Sequence, residues 1–307
     1  MATIGIPKGM YYYEYSAIWE DFFERLGFEV VISQDTNKKV MDDGIKHCSN
    51  ETCLPVKVFH GHVASLKDKC DYIFIPRYHS TGKNEYTCPK LCGLPDMTSI
   101  NMGRQVKIVE VKINLDSKTY ETTESLRLIA KTFGIKYVKV LEAFKGSCTK
   151  YEQAKLKENG RGKDQKFVAG RETAISLLGH PYMIYDSYLN MGLIEKLKKR
   201  NIDIFTPRDI DHETKRRNSH PYQEKPFWDI GFELLGSAFT YAKDERIKGM
   251  IYLTPFACGL DAFIMEFIEN RIKSQYRDIP LLKLTVDEHT GEAGFDTRLE
   301  AFLDMIG

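Results

Sequence analysis

Apolar positions along the chain follow two rhythms: short unbroken runs, and longer stretches where they return every third or fourth residue. The runs at 4–6, 70–77 (CDYIFIPR), 105–111 (QVKIVEV), 247–255 (IKGMIYLTP) and 280–286 (PLLKLTV) predict buried strands. The helical period predicts helices near 54–66, 118–133, 228–241, 262–272 and 297–305. Strands alternating with helices at this spacing indicate an α/β fold with parallel sheets covered on both faces.

Part of this pattern occurs twice. Residues 4–33 and 178–207 run in the same order: a short strand, Pro7 or Pro181, an aromatic-rich turn, an amphipathic helix and a second strand. The expected helix stripes are Ile18, Phe22 and Leu26 in the first copy, and Leu189, Leu193 and Leu197 in the second. Each helix is expected to stop at a turn residue, Gly27 or Asn201. Farther on, each half has a strand ending in proline and then a cysteine turn, Cys92-Gly-Leu-Pro-Asp or Cys258-Gly-Leu-Asp. Two Rossmann-like domains related by internal duplication are expected, at 1–140 and 166–307, with a charged linker helix at 141–165. Ligands of open α/β sheets collect beyond the carboxyl ends of the strands, so an interdomain cleft is the expected site.

A chain of 307 residues with 42% hydrophobic content can bury a core in each of two domains. Its formal charge of +1 gives no broad electrostatic grip on nucleic acid or on a membrane surface. The opening MATIGIPKG has neither the basic nor the apolar region of a secretory signal, and no run reaches the roughly 18 apolar residues of a membrane span. The expected setting is cytoplasmic, where thiols stay reduced or bind metals.

Five of the seven cysteines carry the candidate chemistry: Cys48 and Cys53 in HCSNETCLP, Cys88 and Cys92 in TCPKLCGLPD, and Cys258 in TPFACGLD. Soft thiolates select iron-sulfur units or zinc. Cys53 and Cys258 are each expected at a helix start, where the dipole favours a thiolate. Of Cys88 and Cys92, one ligates while the other packs or joins a larger cluster, and Cys48 is a second thiol near Cys53. Cys70 reads as a small buried hydrophobe, and Cys148 lies in the charged linker. Zinc in a closed tetrahedral site is the competing reading, although neither pair has the two-residue spacing of zinc ribbons.

His60 and His62 lie two apart on an expected helix and read as structural. His180, Glu288 and His289 occupy turns after strands and are candidates for proton transfer, against the alternative of simple capped turns. No GxxxxGK[ST] or GxGxxG signature is present, so nucleotide binding by this chain is not supported.

Together ETCLPVKVFHGHV, CPKLCGLPDM, GHPYMIYDSYLN, TPFACGLDA and LTVDEHTGEAGFDTRLEAFLDMI resemble the activase-related branch of the 2-hydroxyacyl-CoA dehydratase and benzoyl-CoA reductase superfamily, whose members include double-cubane-cluster reductases. The resemblance implies an iron-sulfur cluster, 4Fe-4S or a double cubane. By position it implies Cys53, Cys88 and Cys258 as ligands, with Cys48 and Cys92 as additional thiols. It also implies an ATP-dependent activase partner that donates low-potential electrons, a small-molecule or acyl-CoA substrate, and a homodimer. Beside the catalytic dehydratase subunits of that superfamily the 307 residues are few, and the activase is expected to be a separate protein. The expected function is therefore an iron-sulfur reductase or dehydratase-like component. The alternatives are a non-enzymatic cluster carrier or scaffold and a zinc-stabilised binding protein.

Overall fold

The computed structural model describes residues 2–116, 120–162, 173–219, 226–276 and 279–307. Its contacts divide the chain into two units, Met1–Lys157 and Glu158–Gly307.

The first unit contains β1 (Thr3–Ile6), α1 (Tyr12–Leu26), β2 (Glu29–Ile32), α2 (Lys38–Lys46), α3 (Leu54–Leu66), β3 (Tyr72–Phe74), β4 (Arg77–Gly82), β5 (Glu85–Tyr86), α4 (Pro89–Cys92), α5 (Leu94–Asn101), β6 (Ile108–Val109), β7 (Lys112–Asn114), α6 (Tyr120–Phe133) and α7 (Tyr137–Gly162). The second contains β8 (Ala174–Gly179), α8 (Pro181–Ile184), α9 (Leu193–Lys199), β9 (Asp203–Phe205), α10 (His212–Asn218), α11 (Asp229–Tyr241), β10 (Ile247–Pro255), α12 (Gly259–Gln275), β11 (Leu281–Val286) and α13 (Glu292–Ile306).

Each unit is built on a parallel sheet, and both sheets have the same topology. Their strand orders are β2-β1-β3-β6 and β9-β8-β10-β11, so in each the first strand lies between the second and the third. The duplicated pattern in the sequence therefore corresponds to a duplicated topology. All of β8 is buried, as is β10 apart from Lys248, as expected for parallel strands covered on both faces. The first core joins Ile4, Trp19, Phe22, Phe23 and Phe74; the second joins Leu234, Phe239, Met250, Tyr252 and Ile268. Each such large apolar side chain contributes about 1.5–3 kcal/mol on burial.

Several elements differ from the sequence reading. Leu189, Leu193 and Leu197 are all buried but do not share one helix. Met191 (φ 53°) and Gly192 (φ 68°) are left-handed, so α9 begins only at Leu193. The helix expected at 262–272 starts earlier, at Gly259, and the one expected at 297–305 starts at Glu292. Most of the expected linker belongs to α7, which begins at Tyr137 and packs Val140 and Ala143 into the first core. Residues 163–165 of that linker, and Lys118, lie outside the described residues. A small mixed sheet, β5-β4-β7, was not anticipated.

Asp21 ties α1 to α7. Its carboxylate accepts hydrogen bonds from Ser147 Oγ (2.8 Å), Lys150 Nζ (2.7 Å) and Arg25 Nε (2.5 Å). Burial pushes its pKa up, but Lys150, Arg25 and Ser147 outweigh burial and hold it at about 2, below the ordinary 3.8. The two cationic side chains are well exposed and therefore screened. Asp21→Ala is expected to cost about 1–2 kcal/mol at neutral pH. Because the folded-state pKa is depressed, the contribution is complete above about 3.8 and fades as pH falls toward 2. Urea denaturation of both proteins at pH 7 and pH 2.5 would check this: the gap between them should shrink at the lower pH.

Candidate metal centre

In an open α/β sheet the loops diverge where the strand order reverses, which opens a crevice at the strands' carboxyl ends. In the second unit that point lies between β8 and β10. Their register sets Gly179 opposite Leu253, with the residues that follow each strand end beyond the sheet. Gly179 (φ 152°) is required there, since a Cβ would sit 2.6 Å from the Leu253 carbonyl oxygen. The chain then delivers His180 from β8, and Cys258 and Asp261 from the turn after β10.

Those three side chains form the one group among the described residues in which at least three histidine, cysteine or carboxylate donors converge, every ligand atom lying within 4.8 Å of the others. Cys258 is the N-cap of α12 and Asp261 lies in its first turn. The preceding Ala257 is left-handed (φ 61°), an uncommon conformation for a residue with a Cβ, and it ends the strand sharply. Asp261 is fully buried; Tyr252 OH donates to its Oδ1 (3.0 Å) and Thr254 Oγ1 to its Oδ2 (3.3 Å). Tyr252 and Thr254 are two apart on β10 and so share a face.

His180 stacks on Tyr182, with ring centroids 4.6 Å apart and planes 14° apart. Its Nε2 is 3.2 Å from Asp261 Oδ1, but this buried nitrogen makes no hydrogen bond of proper geometry. Burial opposes charge on His180. Asp261 outweighs burial, with Cys258 assisting, and raises the imidazole pKa to about 10.

Glu288 and His289 follow β11, the neighbour of β10, where Pro255 pairs with Val286. Asp287 organises their turn, accepting from the His289 backbone N–H (2.8 Å) and from Thr290 Oγ1 (2.7 Å). His289 is exposed and Glu288 half-buried, and neither belongs to the converging group.

In the first unit the equivalent crevice, between β1 and β3, is aromatic. Tyr11 meets Tyr78 edge-on at 4.8 Å, Tyr15 stacks on Tyr78 at 5.3 Å, and Trp19 Nε1 donates to Tyr78 OH (3.0 Å). Cys53 is buried at the N-cap of α3, with Pro55 in the first turn, as the sequence suggested. Cys48 lies near it, and burial pushes the Cys48 thiol up to about 11, with Lys57 opposing and Cys53 adding. Lys57 is itself buried, and its Nζ donates to the Asn50 carbonyl (3.1 Å).

Cys88 is the N-cap of the single-turn α4, which ends at Cys92. Cys92 Sγ lies 3.6 Å from His79 Nε2. Arg77 anchors this segment by donating to the Cys92 carbonyl (2.9 Å), Asp96 (2.7 Å) and Glu110 (2.9 Å). Among the described residues, the first unit has no comparable three-donor group. His60 and His62 are structural: His62 lies between Ser33 (2.9 Å) and Thr36 (3.0 Å), and His60 between the Val56 carbonyl (2.8 Å) and Asn101 (3.1 Å). Cys70 packs against Gly5, and none of the seven cysteines is in a disulfide.

Sequence reasoning singled out His180 and Cys258 separately and overlooked Asp261. The spacing Cys258-Gly-Leu-Asp261 was the available signal, because residues three apart at a helix start share a face.

A family described as "CoA enzyme activase uncharacterised domain (DUF2229)" matches residues 3–210. No curated protein matches the chain. A solved structure, a Zn(II)-bound mutant variant of AdcAII from Streptococcus pneumoniae, is similar over 99% of this chain and 97% of its own, at 12% identity and a TM-score of 0.32. A likeness that slight carries no weight for fold or function. No helix among the described residues is long and apolar enough to cross a membrane.

Proposed function

From the premise that the chain belongs to the CoA enzyme activase uncharacterised domain family, we propose that it is an iron-sulfur reductase or dehydratase-like component of an ATP-dependent electron-delivery system. The observation that carries this reading is the placing of Cys53 and Cys258 at the N-caps of full helices, one in each copy of the duplicated fold. Cysteine sulfurs are the donors that iron-sulfur clusters take, and a helix start presents its N-cap side chain beside free backbone N–H groups. The donor chemistry therefore fits the group. In this reading Cys53, Cys88 and Cys258 hold a 4Fe-4S cluster, and Cys48 and Cys92 are the extra thiols a double cubane would need.

When bound, the cluster supplies single electrons at a potential near the low end of its roughly −700 to +450 mV range. The chain's own residues bind and protonate. Cys258 presents its sulfur at the switch point of the second unit, and the neighbouring His180 holds a proton that Asp261 keeps in place. Glu288 and His289, beyond the next strand end, are assigned to substrate contact. The electron donor is an ATP-hydrolysing activase, and the acceptor is a small molecule or acyl-CoA.

An anaerobic mixture of the cluster-loaded chain with such an activase tests the reading. Bleaching of the cluster's visible absorbance is expected to require ATP and to disappear in Cys258→Ala. Bleaching at the same rate without ATP would contradict it.

A further inference from the structure

The second unit contains a donor set that needs nothing from the first. Cys258 Sγ, a ring nitrogen of His180 and an Asp261 oxygen lie within 4.8 Å of one another, and His180 Nε2 and Asp261 Oδ1 are 3.2 Å apart. Bonds of about 2.0–2.3 Å in a tetrahedral zinc site place ligand atoms roughly 3.3–3.8 Å apart; the Nε2–Oδ1 separation is close to that spacing, and the Cys258 sulfur lies within 4.8 Å of both partners. A single ion would also resolve a local anomaly. His180 is only 7% exposed, and its Nε2 lies 3.2 Å from Asp261 Oδ1 without the geometry of a hydrogen bond, so a cation between the two would satisfy the nitrogen better than the carboxylate alone does.

The surroundings match those of a built site. Tyr252 and Thr254 fix the carboxylate as outer-shell partners fix metal ligands, and the stack on Tyr182 holds the imidazole plane. Cys258 is partly exposed, so the group can be reached from solvent. A thiolate among the donors disfavours magnesium and calcium, and the mixed sulfur, nitrogen and oxygen set suits a zinc-class divalent ion.

We infer that His180, Cys258 and Asp261 form a mononuclear site for a zinc-class divalent cation, complete within the second unit. This goes beyond the cluster reading, since it involves no residue of the first unit. Cys258 is shared by the two readings, so the ion occupies the site when no cluster is present.

Cobalt tests it directly. Full-length chain, stripped anaerobically with chelator and titrated with Co²⁺, is expected to bind one equivalent and develop a sulfur-to-cobalt charge-transfer band. Cys258→Ser should abolish the band. His180→Ala and Asp261→Asn should weaken binding at least tenfold, whereas Cys53→Ala and Cys88→Ala, whatever they do to iron content, should keep the cobalt band. X-ray absorption at the cobalt edge of the wild-type chain, which depends on no variant's folding, should find one sulfur among nitrogen and oxygen donors. Two or more sulfurs, or a band that needs Cys53 or Cys88, would overturn the inference. Iron and sulfide content, which measures the cluster reading, does not enter this result.

Discussion

Gly61→Ala is expected to destabilise the protein by about 3 kcal/mol or more, although alanine is the better helix former by roughly 0.5–1 kcal/mol. The reason is how closely α2 and α3 approach. A Cβ on Gly61 would lie 1.8 Å from the Val40 carbonyl oxygen, and one on Gly44 would lie 1.9 Å from that of Lys57. Both obstacles are helical backbone, which cannot swing aside as a side-chain tip can, so the helices must separate along their whole contact. Cys48 and Cys53 lie on the connection between α2 and α3, and Cys53 caps α3. The same substitution should therefore disturb both thiols and lower any metal content that depends on them. Urea denaturation gives the stability change; a neutral or stabilising result would mean that the two helices do not meet as described.

Asp261→Ala is expected to cost about 3–5 kcal/mol in chelator-treated protein, the range for removing one partner of a buried charge pair. The carboxylate is the hydrogen-bond acceptor for Tyr252 and Thr254 and the counter-charge of His180, and no solvent reaches it to replace any of these roles. The effect has a pH signature. The folded-state pKa of His180 is raised to about 10 from the ordinary 6.5, so the pair's contribution is complete below about 6.5 and is lost as pH climbs toward 10. Wild type should weaken over that interval while Asp261→Ala stays comparatively flat, so the two stabilities converge at alkaline pH. Parallel pH profiles across that window would rule out the charge pair as the source.

The architecture was readable wherever burial wrote itself into an apolar run. The strand at 247–255 and the helix at 54–66 fall where the pattern put them, because both are buried over most of their length. The duplication was readable because each copy keeps the same order of strand, proline turn and helix. What escaped were features set by tertiary contact. The stretch Arg77–Gly82 is largely polar, and only its pairing with Glu85–Tyr86 on one side and Lys112–Asn114 on the other makes it a strand. The left-handed residues at Met191 and Gly192 split a leucine stripe that periodicity alone would run through one helix. Asp261 was hidden because an acidic residue in the first turn of a helix is ordinary; its meaning depends on His180, 81 positions earlier in the chain. The Asp that follows Cys92 in the matching turn of the first unit pairs instead with Arg77. Equivalent positions in the two copies have thus taken different work, which no single-sequence pattern displays.

The most direct test of the proposed chemistry is the quantity of iron, acid-labile sulfide and zinc per chain after anaerobic purification of the wild type, Cys53→Ala and Cys258→Ala. Iron and sulfide in equal amounts in the wild type, with both lost in each variant, is the predicted result. Zinc without sulfide in the wild type, or full iron in both variants, would contradict it.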